Sequence, residues 1–126
     1  MAAVSRRAVR RLAARAAVIR IESIWLSVEP LDMRAGFDTA LARVVAVFGA
    51  AHPYTAYVFA NRRSDRLKVL VHDGIGLWLA ARRLHQGGFA RGRLGLNEPL
   101  TREQFDALVL GLPWHRVGEA GVIRVT

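Results

Sequence analysis

Alternating apolar and polar positions in the middle of the chain predict three short β-strands. Residues 66–72 alternate most regularly, with aliphatic side chains on one side and mainly charged or polar ones on the other. The runs 54–60 and 75–81 are also rich in apolar and aromatic residues. Asp73-Gly74, between the runs 66–72 and 75–81, is typical of a hairpin turn. Because the connections are short, the pattern predicts an antiparallel β-meander.

Apolar residues recur at helical spacing in two further segments. A stripe over residues 37–48 predicts a helix that begins near Asp32, whose carboxylate is expected to accept hydrogen bonds from the free amides of the first turn. A second helix is expected over 104–112, because Thr101 and Gln104 have the spacing of a capping box.

The whole pattern predicts a small single α+β domain in which the two helices pack on one face of the meander. Residues 18–116 are assigned to this domain, and their first eleven residues are expected to form one more strand. Residues 1–17 are expected to be a basic, disordered extension, or else an arm on DNA. Residues 117–126 are expected to be a tail with a short strand at 122–125.

Composition limits the classes of protein to which the chain can belong. Its 126 residues, 52 % of them apolar, allow one domain with a core, and the absence of cysteine excludes disulfides and thiolate metal sites. No stretch approaches the roughly 18 apolar residues that span a bilayer. The four histidines are at least thirteen residues apart, so neither a metal nor another cofactor is expected. These features are compatible with a cytoplasmic protein.

Charge is concentrated in two regions of the chain, whose formal net charge is +9. Residues 1–17 contain five arginines and no acidic residue, and residues 61–93 contain eight basic residues against two acidic ones. The second region includes the meander, so it predicts a surface for DNA phosphates. Its candidate phosphate-binding residues are Arg62, Arg63, Arg66, Lys68, Arg82 and Arg83. The aromatic residues Tyr57, Phe59 and Trp78 of the same sheet are candidates for stacking on bases.

Five sequence blocks, in their order, resemble a known family. They are EPLDMRAGFD (29–38), VFANRRSDRLKVL (58–70), HDGIGLWL (72–79), RLHQGGF (83–89) and QFDALVLGLPW (104–114). Together they are similar to the small accessory proteins of insertion-sequence-66-type transposons, often called TnpB or Orf2-like. Besides the basic candidates, the signature positions are Asp32, Met33, Arg34, Asn61, Asp73, Gly74 and Phe89. The chain departs from the family pattern at Ala90-Arg91, where a Trp-Pro pair is usual.

The resemblance implies a bacterial accessory factor that acts beside a separate transposase, with no catalytic residues of its own. The leading hypothesis is therefore a non-enzymatic protein that binds transposon DNA, the transposase, or both through the basic hairpin region. One alternative is a pure protein-interaction adaptor in which Trp78 and Phe89 contact a partner. Another is a metal-dependent nuclease, which requires Asp65 and Asp73 to converge on one ion. The oligomeric state is not predicted.

Overall fold

The computed structural model describes residues 20–92 and 95–117 as a mixed sheet with a helix on each side. The strands are β1 (Ser23–Leu26), β2 (Thr55–Ala60), β3 (Arg66–His72), β4 (Leu77–Arg83) and β5 (Glu98–Leu100). The helices are α1 (Phe37–Phe48) and α2 (Arg102–Val109), and a 3-10 turn follows at Trp114–Arg116. The expected basic extension (1–17) and the expected strand at 122–125 lie outside the described residues.

The strand order in the sheet is β4-β3-β2-β1-β5. Strands β2, β3 and β4 form the expected antiparallel meander, and the α+β class is confirmed. β1 runs parallel to β2, with α1 as the crossover between them. β5 pairs antiparallel with β1. The sequence does not predict this strand, because it has only three residues and one of them is Pro99. Proline is tolerated there because β5 lies at the edge of the sheet.

The two helices pack on opposite faces of the sheet, so the prediction that they share one face is wrong. On β2, Ala56 and Val58 belong to the core cluster that contains Leu108 of α2. The alternate residues Tyr57 and Phe59 belong to a second cluster, which contains residues of α1. Because the central strands are apolar on both faces, each face has to be covered by a helix.

Helix α1 begins at Phe37, five residues later than expected, and Gly36 is its N-cap. The prediction that Asp32 caps this helix is wrong. Its carboxylate instead accepts a hydrogen bond from the backbone N–H of Arg34 (2.8 Å), in a turn closed by Ala35 N–H donating to the Asp32 carbonyl (3.0 Å). The short polar side chain of aspartate therefore stabilises a local turn here rather than a helix end.

The capping box of α2 is confirmed. The Thr101 hydroxyl accepts from Gln104 N–H (3.0 Å), and the Gln104 side chain accepts from Thr101 N–H (2.9 Å). The helix ends at Val109, three residues earlier than predicted. Within residues 20–92 and 95–117, neither helix has the length and apolar composition that a membrane span requires.

Candidate functional site

The turn between β2 and β3 is organised by the Asn61 side chain. Its Oδ1 accepts from the backbone N–H groups of Asp65 and Arg66 (both 3.1 Å), and its Nδ2 donates to the Asp65 carboxylate (2.7 Å). This last bond is the main reason why the pKa of Asp65 lies below its usual value. Arg62 and Arg63 occupy the resulting turn, and both are exposed.

A loop from Phe89 to Gly92 is fastened to this turn by Arg91. The Arg91 Nε donates to the Ser64 hydroxyl (2.8 Å), and its Nη2 donates to the Arg62 carbonyl. The backbone N–H of Phe89 also donates to the Ser64 carbonyl (2.5 Å). Arg91 was not among the candidate residues, although it stands where the sequence departs from the family pattern.

The segment 29–33, which follows β1, lies beside the turn. Leu31 N–H donates to the carbonyl of Ala60 at the end of β2 (3.0 Å). From α1, Arg43 Nη1 donates to the Pro30 carbonyl (2.9 Å). Because β1 and β2 are parallel, their carboxyl ends place this segment and the turn at the same edge of the sheet.

Between the segment and the turn lies a cleft of about 560 Å³, which we call the arginine cleft. It is lined by Glu29, Pro30, Leu31, Asp32, Met33, Arg43, Asn61, Arg62, Arg63 and Arg66. The crevice at the carboxyl ends of parallel strands is a common ligand site in open sheets. Two sequence blocks of the family resemblance therefore meet at one cavity, and Arg43 joins them from α1.

The arginine cleft is rich in exposed cations, and the charges of Arg66 and Arg63 contribute to the lowered pKa of the neighbouring Asp65. Within 20–92 and 95–117, the side chains of Arg62, Arg63 and Arg66 make no hydrogen bond or ion pair. Of the two carboxylates, Asp32 is held by the Arg34 guanidinium (2.8 Å). This hydrogen bond holds the pKa of Asp32 well below its usual range. The cleft thus combines two carboxylates with three guanidinium groups that make no hydrogen bond or ion pair within the described residues. One of the carboxylates, Asp32, is already paired with Arg34, and the other is Glu29.

The other basic candidates are distributed over both faces of the sheet. Arg83 lies directly opposite Arg66 in the β3–β4 register, and both are exposed. Lys68 is half-buried, and its Nζ donates to the Ala35 carbonyl (2.5 Å). Arg82 is on the α2 face, where its Nε donates to the last carbonyl of that helix (2.5 Å). The structure therefore places Arg62, Arg63 and Arg66 at one cleft, with Arg83 on the strand next to Arg66. Arg82 lies apart from them, on the other face of the sheet.

The signature pair Asp73-Gly74 forms the β3–β4 turn. The Asp73 carboxylate accepts from the N–H groups of Gly76 (2.7 Å) and Ile75 (2.9 Å) and from the Trp78 indole N–H (2.8 Å). These hydrogen bonds lower the pKa of Asp73. The role of this pair visible in the structure is to close the hairpin.

The nuclease hypothesis built on Asp65 and Asp73 is wrong, because these residues flank opposite ends of β3. Seven strand residues separate them, which corresponds to more than about 20 Å at the rise of a β-strand. Two carboxylates at that distance cannot bind one metal ion. In the part of the chain that the structure describes, no group of three acidic or histidine side chains has metal-binding geometry.

Most of the aromatic candidates belong to the core. Tyr57 and Phe59 are buried, so the interpretation that they stack on bases is wrong. Phe89 is only 4 % exposed, which is incompatible with a surface anchor for a partner. Trp78 differs from them, with 46 % of its surface exposed.

Comparison with known proteins places the chain in a sequence family. A family model described as IS66 Orf2 like protein matches residues 22–119. An uncharacterized protein of Sinorhizobium fredii, y4jC, is 34 % identical over 110 residues, which cover 82 % of this chain and 90 % of the relative. A second uncharacterized protein of that organism, y4hO, is 30 % identical over 99 residues, covering 76 % and 85 % respectively. No solved structure matches the chain significantly.

Proposed function

The chain belongs to the IS66 Orf2-like family, and we propose that it is a non-catalytic accessory protein of transposition that binds the phosphate backbone of DNA. The family suggests the accessory role in transposition. The observation that carries the DNA-binding proposal is the arginine cleft, where the guanidinium groups of Arg62, Arg63 and Arg66 make no hydrogen bond or ion pair with the described residues. In this proposal the partners are transposon DNA and a separate transposase, and the protein acts in the cytoplasm.

The physical argument rests on the chemistry of the guanidinium group. Each free guanidinium presents a planar set of donors that matches phosphate oxygens, and each phosphate contact releases counterions. The direct cross-strand pair of Arg66 and Arg83 supports the same function. Like charges opposite each other on neighbouring strands destabilise a sheet, and a bound anion offsets that repulsion.

The test is the affinity for a duplex from the ends of the transposon, measured by fluorescence anisotropy at fixed salt. We expect R62A/R63A/R66A to bind at least about tenfold more weakly than the unaltered chain, because three charge-assisted contacts are lost. The matched control is R20A/R102A/R116A, which removes three exposed arginines that do not line the cleft. An equal loss of affinity in both triple variants would overturn the proposal, because only total charge would then matter.

A second candidate function is that of a protein adaptor, favoured by the exposed tip of the β3–β4 hairpin. Ile75 is 98 % exposed, and its backbone N–H and the indole N–H of the half-exposed Trp78 both donate to the Asp73 carboxylate. The adaptor function predicts co-purification with the transposase that survives nuclease treatment and is lost in I75S/W78A. Co-purification that nuclease abolishes would instead support the DNA-binding function.

A further inference from the structure

A second cleft, of about 550 Å³, adjoins the arginine cleft, and we call it the apolar cleft. Its apolar lining includes Leu26, Val28, Leu67, Phe89, Leu96 and Leu108. Glu29, Pro30, Asn61 and Arg62 line both clefts and so form a shared wall. A volume of this size falls in the range of about 300–1,000 Å³ that is typical of small-molecule sites.

Two apolar side chains at the mouth of the apolar cleft are largely exposed in the part of the chain that the structure describes. Leu96 is 63 % exposed and Val28 is 48 % exposed. The polar lining of the apolar cleft comprises Ser27, Ser64 and Arg91 together with the shared wall, where the Glu29 carboxylate has no hydrogen-bond partner in the described parts of the chain. An occupant of this cleft therefore needs apolar faces together with a polar edge that can donate hydrogen bonds.

Resting on the proposed function above, we propose that the two clefts together bind one unpaired nucleotide of DNA. The base enters the apolar cleft between Val28 and Leu96, and the neighbouring phosphates lie against Arg62, Arg63 and Arg66. Nucleobases have apolar faces and polar edges, and the N–H groups on the edges of adenine, cytosine and guanine are donors that the Glu29 carboxylate accepts.

The juxtaposition of the two clefts favours a nucleotide over an apolar peptide side chain. A peptide would use the apolar cleft and leave the free guanidinium groups across the shared wall without counterions. In a nucleotide, the base and the phosphate are joined through one sugar, so a single ligand satisfies both cavities. In a regular duplex, stacking and pairing keep the base inside the helix, so the ligand has to be single-stranded or extruded from the duplex.

The experiment compares three DNA probes of one length: a single strand, the corresponding duplex, and the single strand with abasic sites. We expect the unaltered chain to bind the single strand about tenfold more tightly than the duplex, as expected when a base gains an apolar site. The abasic strand should lose this advantage. Equal binding of the normal and the abasic strands would overturn the proposal.

A matched pair of variants separates this proposal from the proposed function. V28T/L96Q makes the mouth polar at exposed positions with little change in volume, so it should abolish the single-strand preference and leave duplex affinity unchanged. R62A/R63A/R66A should weaken binding to all three probes. If duplex binding depends on the arginines but V28T/L96Q keeps the single-strand preference, the nucleotide site is refuted and the proposed function stands. If none of the probes binds, both are refuted.

Discussion

The Asn61 amide links the conformation of the β2–β3 turn to the position of the arginines. It makes three hydrogen bonds, two with backbone N–H groups and one with the Asp65 carboxylate, and no other residue type of that size offers both an acceptor and a donor there. The turn itself could be predicted from the sequence, because residues 61–65 are typical turn formers. The contributions of Arg43 and Arg91 could not, because their hydrogen bonds join residues that are 13 to 29 positions apart.

Replacing Asn61 by alanine tests this role. We expect N61A to lower the free energy of unfolding by about 1–3 kcal/mol, because it removes three hydrogen bonds and leaves the Asp65 carboxylate and the N–H groups of Asp65 and Arg66 without these partners. The measurement is urea unfolding. N97A is the control, because the Asn97 side chain accepts one hydrogen bond within the described residues, from Val28 N–H (2.9 Å). Equal destabilisation by the two variants would contradict the assigned role of Asn61.

The lowered pKa of the Asp73 carboxylate makes the stability of the fold depend on pH. Because three hydrogen bonds lower its pKa in the folded chain below the ordinary 3.8, the ionised group stabilises the fold above that pH. This contribution is lost as the pH falls through the lowered folded-state pKa. We therefore expect the stability gap between the unaltered chain and D73N to shrink below about pH 4.

Urea midpoints at a series of pH values measure this gap. D38N is the control, because Asp38 is exposed and its side chain makes no hydrogen bond or ion pair with the described residues. A gap for D73N that stayed constant down to pH 2 would show that the carboxylate bonds contribute nothing to folding.

At the scale of elements, the β3–β4 turn depends on a glycine for two separate reasons. Gly74 has a φ of +89°, which disfavours side chains, and a Cβ there would lie 2.8 Å from the Tyr54 ring. Gly87 has a φ of +73° but open space around the same position. A substitution at Gly87 therefore tests backbone strain alone, whereas one at Gly74 tests backbone strain together with steric overlap.

We expect G87A to destabilise the chain by about 1 kcal/mol, the usual cost of a left-handed conformation for a non-glycine residue. G74A should cost more than G87A, because the end of the Tyr54 side chain has to shift in addition to the backbone strain. Thermal and urea unfolding measure both values. Equal costs would contradict the close approach of Tyr54 to the turn.

Some elements of the fold could be predicted from the residue pattern within a short stretch of sequence, and others could not. The three meander strands and the capping box depend on neighbouring residues, and both are present where expected within a few positions. The placement of the helices depends on whether one or both sheet faces are apolar. Leu70 lies on the mainly polar side of the alternating pattern of β3 and Tyr57 is a stacking candidate by sequence, but both are part of the core under α1. The parallel pairing of β1 with β2 is a long-range contact that no short motif indicates.

At the scale of the whole molecule, the crossover from β1 through α1 to β2 explains the site. It brings residues 29–33 next to residues 61–66, although about thirty positions separate them in the sequence. The sheet topology thus converts two separate sequence blocks into one cleft. The net charge of +9 does not reveal this cleft, because its distinguishing feature is a local group of arginines whose side chains make no hydrogen bond or ion pair with the described residues.

The salt dependence of duplex binding tests the central claim, that the arginine cleft binds DNA phosphates, most directly. The slope of log K against log salt concentration changes by about 0.9 for each phosphate contact in B-DNA. R62A/R63A/R66A should therefore have a slope about 2.7 units shallower than that of the unaltered chain, if each guanidinium contacts one phosphate. R20A/R102A/R116A should retain the steep slope. Identical slopes for the unaltered chain and R62A/R63A/R66A would contradict the claim.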